Sequence, residues 1–469
     1  MNTPSPQFPD VTLPSAKLLI GGEWVEAASG QTIPVINPAT EQTFAHIAAG
    51  SAEDVDRAVK DAHRCFESAV WQKMRPLDRG RLLERLALLI EEEADALATL
   101  ESWDNGKPYA VSRNIDLAFS MDALRYYAGW SSKMAGEYLT LSPFINDGGT
   151  YRAFGCTIVL KPSEETSLTT LRLGELIQKA GFPPGAVNIV TGYGGPVGTS
   201  LVDHPLVRKI TFTGSTLTGQ RILQAAASQM KRVTLELGGK SPTVVLADAD
   251  MDQAIPGAAM AIFANSGQIC TAGSRLFVEA SVYDRVVQGI AEFAANLPIG
   301  HAFEQNVALG PLVSARQLKK VSEMVQGGID SGAEVVTGGR RTGTQGYFYE
   351  PTLLQNVGRD ATVMREEIFG PVVIANRLDA ISDLKAAAND TEYGLGASIW
   401  TRDLNKAHVL AGQIDSGTVW INTHNVLDTA MPFGGVKMSG IGREFGTEAI
   451  NAFTEPKAVC MRLDPTGLE

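Results

Sequence analysis

Cys270 closes the run Phe263-Ala264-Asn265-Ser266-Gly267-Gln268-Ile269. A thiolate attacks a carbonyl carbon, and a turn of small residues lets a substrate approach the backbone. An isolated cysteine is most often a small buried hydrophobe. Here the Asn, Ser, Gly and Gln that precede it are poor core packing. Glu236 is the second reactive candidate. It ends the apolar run VTLEL and opens the turn Leu237-Gly238-Gly239-Lys240-Ser241-Pro242. A carboxylate at a strand end acts as a base when an apolar wall raises its pKa. The commoner state of such a residue, taken alone, is a solvated strand-end Glu.

Further groups suit a dinucleotide. Lys161-Pro162-Ser163-Glu164 ends the strand TIVLKP, where a Lys and a carboxylate can hydrogen-bond a ribose diol. Phe212-Thr213-Gly214-Ser215, with Gly219, ends another strand and opens a helix, whose N-terminus accepts a pyrophosphate. Glu366-Glu367-Ile368-Phe369-Gly370 can supply a carboxylate to a second ribose. Pro432-Phe433-Gly434-Gly435 begins a Gly-rich turn, a kind more often structural than catalytic. VTGYGGPVG departs from the GxGxxG spacing and reads as loop. Each of these signals is weak by itself.

The elements that must position these groups follow from periodicity. LLIGGEWVEA reads as a hairpin around Gly21-Gly22, and Ser51 caps a helix with Asp54 three residues on. One amphipathic helix is expected from Arg81 to Leu100, ending near Gly106 and Pro108. From Gly155, strands TIVLKP, AVNIVTG and KITFTGS alternate with helices, one over Ser167 to Ala180 and one from Thr216. That rhythm predicts a doubly wound parallel sheet. A second α/β region is expected from Gly239 to Ser439, with strands SPTVVLAD, SRLFVEA, AEVVTGG, PVVIANR, GASIWT and SGTVWIN. The alternating tail reads as an exposed strand suited to pairing with a partner subunit.

The chain of 469 residues is long enough for two or three folding units. Its net charge of −12 repels phosphate backbones, so nucleic acid is not an expected partner. The four cysteines and six histidines are scattered, with no CxxC or HExxH spacing, so no metal site is expected. No secretory signal and no bilayer-spanning run is read, and the expected location is the cytoplasm. The first fourteen residues, with Pro4, Pro6, Pro9 and Pro14, read as an extended or disordered arm.

The motifs FANSGQIC, ELGGKSP, KPSE, FTGSTLTG, EEIFGPV and PFGGVKMSG together resemble the aldehyde dehydrogenase superfamily in order and spacing. The resemblance covers nearly the whole chain. It implies an α/β fold: a Rossmann-like NAD-binding domain (1–130 and 155–238), an α/β catalytic domain (239–439), and a β-hairpin oligomerisation extension (131–154 and 440–469). It implies Cys270 as nucleophile and Glu236 as base. Lys161, Ser163 and Glu164 match the adenine-ribose position. Gly214, Ser215 and Gly219 match the pyrophosphate position, and Leu237 the turn beside the cofactor. Glu367 and Phe369 match the nicotinamide-ribose side. The implied cofactor is NAD, with Glu164 disfavouring a 2′-phosphate. The implied partners are an aldehyde and further copies of the chain, as a dimer or tetramer. The backbone N–H of Cys270 is a candidate oxyanion donor.

GFPPGAVNIVTGYGGPVG and VWINTHNVLDTAMPFGG are similar to bacterial phenylacetaldehyde dehydrogenases, which points to an arylacetaldehyde. Phe263, Leu427 and Phe433 are the expected walls of its tunnel, against the plainer reading of ordinary core residues. Another aromatic or medium-chain aldehyde is the alternative; a quaternary amine is disfavoured by the lack of an acidic cage. The chain departs from the family where Tyr151-Arg152-Ala153-Phe154 runs into Gly155-Cys156-Thr157. The family carries there a strand, a Pro-Trp-Asn turn with a second oxyanion donor, and a helix. About thirty residues are lacking, the size of one strand-plus-helix step. An omitted stretch is favoured over a true deletion, because deletion exposes apolar sheet edges. A true deletion raises a non-catalytic protein on this fold as the competing reading.

Overall fold

The computed structural model describes residues 11–136, 138–139, 147–153 and 156–461. Residues 11–15 carry no regular secondary structure, and the rest of the proline-bearing arm lies outside the described residues. Strands β1 (Leu18–Ile20) and β2 (Glu23–Val25) form the expected hairpin, with Leu18 opposite Val25. Strands β3 (Thr32–Asn37) and β4 (Gln42–Ala48) form a second antiparallel pair. Ser51 caps the helix Ala52–Glu67 in a full capping box with Asp54.

The expected single helix from Arg81 to Leu100 is two helices. The first starts earlier, at Pro76, and spans Pro76–Glu92; the second spans Ala94–Asn105 and ends on left-handed Gly106. Pro76 at the first turn sets the entry. The break falls on Glu93, whose carboxylate bonds Arg172 of a neighbouring helix.

Two short strands follow, β5 (Tyr138–Leu139) and β6 (Asp147–Ala153). Next come β7 (Ile158–Leu160), β8 (Val187–Ile189), β9 (Lys209–Thr213) and β10 (Arg232–Glu236). Helices Leu168–Ala180, Thr199–Asp203 and Thr216–Ala227 alternate with them, as the rhythm predicts. VTGYGGPVG contains a π-helical turn over Gly194–Gly198 that leads into the middle helix.

The expected continuous sheet is in two pieces. One has the order β2-β1-β8-β7; β9 and β10 belong to the other. A doubly wound sheet runs 3-2-1-4-5. Taking β7 to β10 as strands two to five, the vacant position is that of strand one, between β7 and β9. Phe154 and Gly155 lie outside the described residues, as does the bond that distinguishes an omitted stretch from a deletion. On β7, Ile158 is 40% exposed.

A seven-stranded sheet holds the largest core. It comprises β11 (Pro242–Val245), β12 (Arg275–Glu279), β13 (Glu334–Thr337), β14 (Thr352–Gln355), β15 (Val372–Leu378), β16 (Gly396–Trp400) and β17 (Thr418–Ile421). The order is β13-β14-β15-β12-β11-β16-β17, with every pair parallel except β13 with β14. β11 and β16 are buried throughout, as strands covered on both faces must be. β14 had no sequence counterpart among the expected strands. β18 (Gly440–Ile441) pairs antiparallel with β10, with Gly440 opposite Glu236. β19 (Glu455–Met461) pairs antiparallel with β6, and β6 with β5. Glu455 to Cys460 are exposed, so the tail is the open-edged strand that its alternation predicts.

Candidate active site

The Cys270 turn is built from unusual backbone. The helix Met251–Phe263 ends, and Asn265, Ser266 and Gly267 all take left-handed φ, at 50°, 54° and 71°. Two non-glycine residues in that region cost free energy, so neighbours must hold them. Ser266 Oγ donates to the Gly310 carbonyl at 2.7 Å, and Gln268 Oε1 accepts from the Val313 N–H at 2.9 Å. A Cβ on Gly267 would fall 2.0 Å from the Gly370 carbonyl, so the Glu-Glu-Ile-Phe-Gly loop packs directly on this turn. From the other side, Thr271 Oγ1 donates to Asn425 Oδ1 at 2.7 Å. His424 Nε2 donates to the Thr271 carbonyl at 3.0 Å. Burial pushes His424 down to about 4, so its ring is neutral at neutral pH.

Glu236 ends β10 and is 4% exposed. Neither carboxylate oxygen has a hydrogen-bond partner. Burial pushes its pKa up to about 8; the Glu444 carboxylate adds to the rise, and Arg443 opposes it. A Cβ on Gly434 would lie 2.6 Å from Glu236 Oε1, so the Gly-rich turn is the wall of this carboxylate. That turn also fixes the strand end. Ser439 is fully buried; its Oγ donates to the Gly238 carbonyl at 2.7 Å, and its carbonyl accepts from the Leu237 N–H at 2.9 Å. Sequence reading missed Ser439 because its contacts span some two hundred residues.

The thiol lies within electrostatic reach of two carboxylates. Burial pushes Cys270 up to about 12, with Glu367 and then Glu236 adding repulsion. Backbone N–H groups of Thr271 and Cys270 act in the opposite direction, which puts amide donors beside the sulfur. Burial also raises Glu367; its Oε1 accepts from the Gly239 N–H at 3.3 Å. Gly238 leaves the space that Glu367 fills, since a Cβ there would lie 2.3 Å from Glu367 Oε2. Phe369 is held at a left-handed φ of 57°, and its carbonyl accepts from Gln317 Nε2 at 2.7 Å. Lys240, buried in the same turn, donates to the Val363 carbonyl at 2.7 Å, and burial lowers it to about 7.

Leu395, Trp420 and Phe433 form an apolar cluster against which Cys270, Leu427 and Phe445 pack. Leu427 and Phe433 therefore pack in the same cluster as the thiol. Phe263 does not. It is fully buried in the main core with Val245, Ile262 and Leu276, because it is the last residue of its helix and faces the sheet. Trp420 and Phe445 are the aromatic neighbours that the motifs left unread. Trp420 Nε1 also donates to the Val426 carbonyl at 2.9 Å, holding the loop that carries Leu427.

The chain matches the description "Aldehyde dehydrogenase family" over two stretches, residues 24–151 and 150–459. The chain belongs to the aldehyde dehydrogenase family. The phenylacetaldehyde dehydrogenase of Pseudomonas fluorescens is 43% identical over 493 residues, covering 98% of each chain. The mitochondrial aldehyde dehydrogenase of Mesocricetus auratus is 42% identical, covering 95% of each chain. The NAD+ complex of an aldehyde dehydrogenase from Bacillus cereus superposes with a TM-score of 0.94 at 41% identity, covering 96% of each chain. The family match is broken at 150/151, and the Pseudomonas alignment exceeds the 469 residues of this chain. Both agree with the vacant strand position between β7 and β9.

The remaining candidates sit at strand ends of the two sheet pieces. Lys161 Nζ and Glu164 Oε2 are 3.5 Å apart just past β7, with Lys161 lowered by burial; exposed Ser163 accepts from the Glu165 N–H through Oγ. Gly214 follows β9, and its N–H donates to the Glu236 carbonyl at 3.0 Å. Ser215 caps the helix Thr216–Ala227 through the Thr218 N–H. Gly219 lies against Leu237, which would be 2.5 Å from a Cβ there. Gly214, Ser215, Gly219 and Leu237 thus join the Glu236 cluster, whereas Lys161, Ser163 and Glu164 belong to the other sheet piece. Among the described residues, no cluster of His, Cys, Asp and Glu suits a metal ion, and no helix is long and apolar enough to cross a membrane.

Proposed function

We propose that this family member oxidises an aldehyde to its carboxylic acid with NAD, Cys270 acting as nucleophile and Glu236 as general base. The observation that carries the reading is the buried, unpartnered Glu236 carboxylate within electrostatic reach of the Cys270 thiol. The residues present fit the cofactor. Lys161 and Glu164 offer a donor and an acceptor to one ribose, and Glu367, in the space left by Gly238, an acceptor to the other. Gly214, Ser215 and Gly219 offer a helix N-terminus to the pyrophosphate. Residues 1–130 and 155–238 form the cofactor-binding part and 239–439 the catalytic part. Residues 131–154 and 440–469 join subunits through the open edge of β19.

The Cys270 thiol gives up its proton to water as its sulfur adds to the carbonyl carbon, and the amide N–H of Cys270 stabilises the oxygen as it gains charge. The chemistry that NAD supplies when bound is acceptance of a hydride from that carbon. A thioester then remains on Cys270. Glu236 removes a proton from water, the hydroxyl adds to the thioester carbon, and the acid leaves as the thiol is restored. The raised pKa of Glu236 makes it a base of useful strength near neutral pH.

An arylacetaldehyde such as phenylacetaldehyde is the proposed substrate, supported by the Trp420, Phe433, Leu427 and Phe445 side chains around the thiol. Its aromatic ring buries apolar area that acetaldehyde lacks. kcat/KM from NADH absorbance is expected to be about tenfold or more higher for phenylacetaldehyde. Equal values would remove the aromatic reading and leave the dehydrogenase reading intact. Replacing NAD by NADP is expected to lower kcat/KM about tenfold or more, because Glu164 faces a 2′-phosphate with like charge. Equal efficiency with both cofactors would show that Glu164 does not contact that ribose.

A further inference from the structure

Lys240 is 1% exposed and among the largest fully buried side chains. Among the described residues its Nζ has no ion-pair partner and one hydrogen-bond acceptor, the Val363 carbonyl at 2.7 Å. A buried amine with a single acceptor is costly, whereas a methionine fills the same space without that cost. What the amine adds is a grip on the Val363 main chain. Val363 belongs to the one-turn helix Thr362–Arg365, and its side chain is buried in the core with Val321 and Leu354. The last carbonyls of a helix have no partner within it. Lys240 caps one of them, four residues before Glu367.

Two consecutive residues of one turn thus hold the Glu367 loop. The Gly239 N–H donates to the Glu367 carboxylate at 3.3 Å, and Lys240 holds the main chain just before it. The turn is itself anchored. Arg275, 2% exposed, donates through Nε to the Lys240 carbonyl at 2.8 Å and through Nη2 to the Ala388 carbonyl at 2.7 Å. Past Glu367, Gln317 Nε2 donates to the Ile368 and Phe369 carbonyls. Ahead of it, Arg365 pairs with the partly exposed Asp390 at 3.0 Å, and Lys240 supplies the buried hold. We propose that Lys240 is a positioning residue for NAD: by holding the Val363 carbonyl it keeps the Glu367 carboxylate where the nicotinamide-side ribose meets it. The inference rests on the reading of Glu367 as the acceptor for that ribose. Methionine at position 240 keeps the volume but leaves the Val363 carbonyl without its donor, which loosens the loop ahead of Glu367.

Calorimetric titration of the full chain with NAD and with ADP separates this role from a general structural one, because ADP lacks the second ribose. Lys240→Met is expected to raise the Kd for NAD about tenfold and to leave that for ADP unchanged. Glu367→Ala is expected to show the same pattern. In the double variant the two losses should not add, since one residue acts through the other. Unchanged NAD affinity in Lys240→Met, equal weakening of both ligands, or additive losses in the double variant overturns the proposal. If Glu367→Ala binds NAD as the unaltered protein does, the reading of Glu367 fails and the proposal falls with it. A loss in Glu367→Ala with none in Lys240→Met sinks the proposal alone. Should Lys240→Met not fold, hydrogen exchange of the unaltered protein decides. The amides of Met364, Arg365 and Glu366 are expected to slow with NAD and not with ADP, and equal protection by both ligands overturns the proposal.

Discussion

Cys270→Ala is expected to abolish aldehyde-dependent NADH formation, with a loss in kcat of at least about 10⁴-fold. The reaction has no covalent route without the sulfur. The substitution removes one atom from a half-buried position against Leu395, Trp420 and Phe433, so Tm should move little, within the effect of about 1 kcal/mol. NAD binding, measured by quenching of tryptophan fluorescence, should persist, because no proposed cofactor contact is lost. Unfolding of the variant would leave the test to Cys270→Ser, which keeps the size but not the acidity. Retained turnover in a folded Cys270→Ala protein would move the nucleophile elsewhere. Cys65 is buried, so Cys156 and Cys460 would then be the ones to examine.

Glu236→Gln should separate the two halves of the reaction. Thiol addition and NADH formation need not use this carboxylate, whereas hydrolysis of the thioester needs a base for water. A rapid burst approaching one NADH per active site is expected, followed by a steady state slowed about 10²–10⁴-fold. In the unaltered protein, kcat should rise with pH through about 8, where Glu236 loses its proton, and this limb should vanish in the variant. Stability moves the opposite way. The carboxyl pKa is raised from 4.5 when unfolded to about 8 when folded, so the folded state holds the extra proton between these values. The stabilisation is complete below 4.5 and is lost as pH rises through 8. Glutamine does not ionise, so Tm of the variant should gain on that of the unaltered protein between pH 6 and pH 9. A variant with full steady-state rate and an unchanged pH limb would remove Glu236 from the mechanism.

The proposed reactive residues stand out because short motifs encode local backbone. A Gly-Gly turn after an apolar strand, or Asn-Ser-Gly before a cysteine, leaves little choice of structure. What brings them together was less legible. Ser439 and Gly434 shape the Glu236 pocket through contacts across the chain, and their own neighbourhood reads as an ordinary glycine-rich turn. Phe263 was misassigned because closeness to the motif in sequence was taken for closeness to the thiol. The last turn of the helix points it into the sheet instead. The break at Glu93 carries no Gly or Pro signal, so two helices read as one. The vacant strand position was legible only against the family pattern. The apolar runs of β7 and β9 look the same in sequence whether or not a neighbour lies between them.

The left-handed turn before Cys270 is held by residues far away in the sequence. Gly310 is 44 positions from its partner Ser266, and Asn425 is 154 positions from Thr271. The clasp to Asn425 cannot close until the polypeptide beyond β17 has emerged and docked. Cys270 thus reaches its folded surroundings late in folding, after long loops have been closed at an entropic cost. During synthesis the nascent chain carries Cys270 without the clasp that holds Thr271 beside it.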